Sequence, residues 1–138
     1  IIFYDLTFFS IREIDDPIEI TKEWKNVSDN IDSRKDVKLL IHGWNADSEH
    51  VALETVRNSY LKLNTSHLLM ADWREIASMR YSVARRMIAA VGRKICKLLK
   101  VFVGFTKTGP ESIHIVAHSL GAHIATHIGR CFKGEISR

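Results

Sequence analysis

Much is scarce in this chain. It has two prolines and seven glycines, and no internal repeat, low-complexity tract or linker, so solenoid and linker-joined architectures are excluded. No apolar run approaches the ~20 residues that a membrane-spanning helix needs. Two cysteines, Cys96 and Cys131, are too few to define a disulfide framework. They read either as free buried thiols, the preferred reading of the sequence, or as one disulfide of a secreted protein. The opening stretch IIFYDLTFF has neither an initiator Met nor a basic leader. It reads as a strand, and the encoded protein is expected to start upstream.

What is present fits a single globular domain, or part of one. Across 138 residues, 46% are hydrophobic and 26% charged, an ordinary balance for a chain with a real core. A net charge of +4 is compatible with an anionic surface as partner. Scattered lysines on a solvated surface are the preferred explanation, and no nucleic-acid site is expected. The triplets Asn26-Val27-Ser28 and Asn64-Thr65-Ser66 are glycosylation sequons and tilt the compartment towards secretion.

Hydrophobic patterning gives an alternating order. Residues 2–9 mix aromatic and β-branched types and predict a strand, and the polar stretch 10–36 predicts a loop with a short helical or extended piece. Val37–Ile41 predicts a buried strand. A helix capped by Asp47 or Ser48 is expected to run to about Leu61. His67–Ala71 is a second buried run. A long helix follows over about 78–102, with Met79, Val83, Met87, Ala90, Val91, Ile95, Leu98 and Phe102 on its apolar face. Ser112–Ala117 forms a third run, and Ser119 opens a helix to about Cys131. Strands alternating with helices imply an α/β fold with a mainly parallel buried sheet.

The chemistry-bearing stretch is IVAHSLGAH. A serine hydroxyl is a weak nucleophile until a base takes its proton and a sharp turn lifts it clear of the backbone. That turn crowds the positions two before and two after the serine, which is the physical content of G-x-S-x-G. Around Ser119 those positions are Ala117 and Gly121; the alanine departs from the strict pattern by one methyl. The bland alternative is a serine that caps the following helix. Earlier, at the end of a strand, stands His42-Gly43-Trp44. Acyl transfer develops an oxyanion that backbone N–H donors stabilise. The expected donors are the amides of Leu120 and Trp44, with Gly43 allowing the loop to come close.

These motifs carry a family likeness. HSLGAH after an apolar strand, IHGW upstream and ADW between them resemble the pancreatic-lipase-like family, over roughly Phe3–Arg138. IHGWNADSEH followed by VRNSYL is most similar to its insect branch, which includes phospholipase A1-like members. The resemblance implies the N-terminal portion of an α/β-hydrolase fold, residues 1–138 being a partial domain. It implies a secreted carboxylic ester hydrolase acting on neutral lipids or phospholipids at a lipid–water interface, without cofactor or metal. Ser119 matches the nucleophile, Trp44 and Leu120 the oxyanion donors, and His42, Gly43, Ala117, His118 and Gly121 their supports. The triad Asp and His of such enzymes are expected beyond Arg138. Other readings are a lipase-like lipid-binding or storage protein of the yolk-protein kind, or an inactive fragment.

Other residues have plainer explanations. Asp72 precedes the serine, contrary to triad order, and reads as turn or packing structure. His118 is expected to point into the fold. His123 and His127 are four apart on a helix, a spacing open to metal, but no third ligand accompanies them. The basic stripe from Arg85 to Lys107 reads as a solvated helix face rather than a lipid-facing one. Met79 and Met87 read as core.

Overall fold

The computed structural model describes residues 31–138, together with the backbone of Thr7–Ile11 and Pro17–Glu19. Those two short segments are strands β1 and β2. They are followed by β3 (Asp36–Ile41), α1 (Val51–Leu63), β4 (Ser66–Asp72), α2 (Arg74–Ala77), α3 (Tyr81–Thr106), β5 (Ile113–Ala117) and α4 (Leu120–Cys131). The sheet order is β2-β1-β4-β3-β5. β3 lies between β4 and β5 and is parallel to both, whereas β1 is antiparallel to β2 and β4. The alternation read from the sequence is thus an α/β sheet, parallel at its centre. Residues 2–6 of the expected first strand and Asn26 of the first sequon lie outside the described residues.

β3 is buried on both faces, as a central parallel strand should be. Val37, Leu39 and Ile41 pack with α3 and α4, while Leu40 joins Leu53, Leu68 and Met70 under α1. Helices therefore cover both sides of the sheet. At the edge strand β5, the Ile115 N–H donates to the Arg138 carbonyl oxygen at 2.8 Å.

Several local expectations are corrected. The α1 cap is His50, whose ring accepts from the Ala52 N–H at 3.3 Å, rather than Asp47 or Ser48. Asp47 instead accepts from the Glu49 N–H in a turn just before the helix. The long helix starts later and runs further than expected, with the four-residue α2 as a separate turn before it. Its buried face consists of Ala84, Ile88, Val91, Gly92, Ile95, Cys96, Leu99, Phe102 and Thr106. That is about a quarter-turn from the apolar stripe read in the sequence, at 100° per residue. Val83 is consequently exposed, and Met79 and Met87 are only half-buried.

The cause is close packing against α4. A methyl on Gly92 would lie 2.6 Å from His127 Cβ, and Cys96 is disulfide-bonded to Cys131 on α4. Gly92 and Cys96 bring α3 close to α4, and the large apolar residues Ile88, Leu99 and Phe102 are buried on the same face. The preference for free thiols is thereby overturned in favour of the disulfide.

Candidate active site

β5 ends at Ala117 and α4 begins at Leu120, leaving two residues to reverse the chain. Ser119 makes this turn at φ 54° and ψ −123°, a conformation that costs a non-glycine residue about 1–3 kcal/mol. It occupies the cap position of α4, yet its hydroxyl makes no capping bond. The side chain is exposed. The cap alternative thus finds no hydrogen bond to support it.

The small residue two positions later has a steric reason. A Cβ on Gly121 would fall 2.6 Å from the His42 carbonyl oxygen and 2.8 Å from that of Ile41. Any side chain there would push α4 off the end of β3. The His118 N–H also donates to the Ile41 carbonyl at 3.0 Å, fixing the turn to β3. Ala117 is half-buried on β5, paired with Ile41.

The loop after β3 comes up beside the serine. A Cβ on Gly43 would lie 3.0 Å from Ser119 Cβ and 3.2 Å from the His118 carbonyl oxygen. Glycine here permits backbone to touch the turn. The next two residues are pinned from the other side. The Asn45 N–H donates to the Ala77 carbonyl at 2.9 Å, and the Trp44 indole N–H donates to that of Met79 at 2.8 Å. Trp44, 41% exposed, also meets Tyr81 edge to face at 5.4 Å.

Beneath the loop is a buried polar cluster. His42 stacks on Trp73, places Nδ1 2.9 Å from the Gly43 carbonyl oxygen, and has Nε2 3.1 Å from Asp72 Oδ1. The Trp73 N–H points at the same Nε2 at 3.0 Å, and its indole N–H donates to the His42 carbonyl at 2.8 Å. Bonding to Gly43 requires a hydrogen on Nδ1. In a neutral ring Nε2 then accepts from Trp73; an imidazolium would donate to Asp72 instead.

Asp72 also takes Arg74 Nε at 2.9 Å, the Arg74 N–H at 3.0 Å and the Ser48 N–H at 3.3 Å. Burial pushes its carboxyl up, but the His42 and Arg74 contacts outweigh that and hold it well below the ordinary carboxylate range. The packing role read for Asp72 is the one it has. What the sequence did not reveal is that His42, Asp72, Trp73, Arg74 and Ser48 form one unit. The available signal was that HGW and ADW both end strands, β3 and β4, that prove to be neighbours.

His118 is corrected. It is exposed, with its ring stacked on His50 at a centroid distance of 6.4 Å, rather than turned into the fold. His123 is exposed and His127 half-buried on α4. Among the described residues no group of three His, Cys, Asp or Glu is placed to hold a metal.

A strained serine thus sits between a parallel strand and a helix, with the Gly43 loop against it. The family profile described as Lipase matches residues 13–138. This chain belongs to the lipase family. It is 28% identical over 109 residues to pancreatic lipase-related protein 2 of Cavia porcellus, covering 79% of this chain and 25% of that protein. It is 28% identical over 111 residues to pancreatic triacylglycerol lipase of Equus caballus, covering 80% and 24%. With the Homo sapiens triacylglycerol lipase it shares 26% over 121 residues, covering 87% and 26%. The chain thus spans about a quarter of the length of the curated relatives it matches.

Proposed function

We propose that this chain carries the nucleophile and oxyanion loop of a secreted serine carboxylic ester hydrolase of lipid esters. The observation that carries the reading is Ser119 itself. It is held at φ 54° without a cap bond, with the Gly43 backbone against its Cβ. Strain of this kind persists where surrounding structure over-determines it, as at active sites. Secretion is supported by the Cys96–Cys131 disulfide, which survives in oxidising compartments. A lipid-ester substrate is supported by the triacylglycerol lipases among its relatives.

In this reading Ser119 Oγ attacks the ester carbonyl carbon while a general base takes its proton. The carbonyl π pair moves to oxygen, and the amides of Trp44 and Leu120 stabilise that oxyanion. Collapse expels the alcohol, which takes the proton back, and leaves an acyl-enzyme that water hydrolyses by the same steps. His42 positions the loop through its bond to the Gly43 carbonyl. Among the described residues none hydrogen-bonds the Ser119 hydroxyl. The chemistry needs a general base and an acid that orients it.

The test is hydrolysis of a short-chain p-nitrophenyl ester by the full-length protein. Ser119→Ala should lower kcat by about 10⁴–10⁶-fold with the fold intact. Turnover unchanged in Ser119→Ala would refute the assignment.

A further inference from the structure

The turn that closes α1 carries the second sequon, Asn64-Thr65-Ser66, and the ester chemistry makes no use of it. Asn64 caps α1 at φ 48° and ψ 31°, a left-handed conformation that asparagine tolerates. Its N–H donates to the Tyr60 carbonyl at 3.1 Å. The cap accounts for the asparagine. It does not call for a hydroxyl two residues later, and the Ser66 hydroxyl makes no hydrogen bond among the described residues.

Lys35 orients the Asn64 side chain. Its Nζ lies 3.2 Å from the Asn64 carbonyl oxygen and 3.5 Å from Oδ1. An ammonium only donates, so the amide oxygen faces Lys35 and Nδ2 is turned away from it. Nδ2 has no acceptor among the described residues, and Lys62, Leu63, Asn64 and Thr65 are all exposed. The register then sets where this amide stands. Asp36 pairs with Ser66 at the start of β3, and Ile41 pairs with Ala117 at its end. Asn64 therefore precedes the starting edge of the parallel strands, and Ser119 follows the finishing edge. The six residues of β3 separate those edges by about 17–20 Å.

We propose that Asn64 carries an N-linked glycan, which rests on the secretion reading. The donor is an oligosaccharide on a polyprenyl diphosphate. Asn64 Nδ2 forms a bond to C1 of the first sugar and loses one proton. The C1–O bond breaks, and polyprenyl diphosphate leaves with its electron pair. A glycan is bulky and solvated and needs bare surface, which the α1–β4 turn supplies. The Cys96–Cys131 disulfide is suited to the same oxidising lumen.

The experiment is expression of the full-length protein in a eukaryotic secretory host, then peptide-N-glycosidase treatment in heavy-oxygen water and peptide mass spectrometry. Residue 64 should read as heavy-oxygen aspartate. Ser66→Ala should abolish that signal while leaving the asparagine and its cap in place, and Ser66→Thr should keep it. Removing the glycan should leave ester hydrolysis within about twofold, and a change of about tenfold would overturn its placement away from Ser119. Secreted protein whose residue 64 stays an unmodified asparagine would overturn the proposal and leave secretion standing. So would a Ser66→Ala signal equal to wild type. Protein retained in the cytosol with Cys96 and Cys131 reduced would overturn the secretion reading, and the glycan with it.

Discussion

Gly121 packs against the backbone of His42 so closely that a methyl on its Cα would sit 2.6 Å from the His42 carbonyl oxygen. The helix after Ser119 and the loop after β3 are therefore set by one contact between α4 and the end of β3. Because the neighbour is backbone, it cannot rotate away. Gly121→Ala should destabilise the protein by about 2–3 kcal/mol, as overpacking a close contact does. Gly129, on the same helix, where an added Cβ would meet nothing within 4 Å among the described residues outside its own helix turn, is the control. Gly129→Ala should be neutral or stabilising by up to about 1 kcal/mol. Urea unfolding of both variants checks the contrast.

The contact of Gly43 with Ser119 makes a separate claim. Gly43→Ala sets a methyl 3.0 Å from Ser119 Cβ and must move the loop outward. If the Trp44 amide serves the oxyanion, ester hydrolysis by the full-length variant should slow about 10²–10³-fold. A rate within twofold of wild type would remove the loop from the chemistry.

Asp72 ties stability to acidity. Its carboxyl is held below the ordinary range by His42 and Arg74 despite burial, so its stabilisation is complete above the unfolded value near 4. That stabilisation is lost as pH falls from about 4 through the folded value. Asp32 titrates in the same window, held at about 2 chiefly by the Arg34 side chain, but it lies at the surface and its pairing is solvent-screened. Asp72→Asn should cost about 2–4 kcal/mol at pH 7 and flatten the acid limb of stability against pH. Chemical denaturation from pH 2 to pH 7 reads both effects.

The Cys96–Cys131 disulfide spans 35 residues and joins α3 to α4. Closing a loop of that size in the unfolded chain is worth about 3–4 kcal/mol. Reduction, or Cys96→Ser with Cys131→Ser, should lower Tm, with the change set by that energy. A Tm insensitive to reductant would show that the helix pair does not need the bridge.

The α/β class, the three parallel strands and the serine turn were readable because each has a local cause. Buried parallel strands are short apolar runs, and the turn demands small residues at fixed offsets. The facing side of α3 was not readable. It is chosen by Gly92 and Cys96 against α4, a tertiary contact that an apolar stripe cannot encode. The pairing of the cysteines and the outward ring of His118 depend likewise on partners distant in sequence. The union of His42, Asp72 and Arg74 depends on β3 and β4 being adjacent, which two strand-end motifs hint at but do not fix.

The most direct measurement is mass-spectrometric mapping of a fluorophosphonate adduct on the full-length folded protein. The adduct should fall on Ser119 at close to one per chain and vanish in Ser119→Ala. A folded protein that stays unlabelled, or carries the adduct on another residue, would contradict Ser119 as the nucleophile.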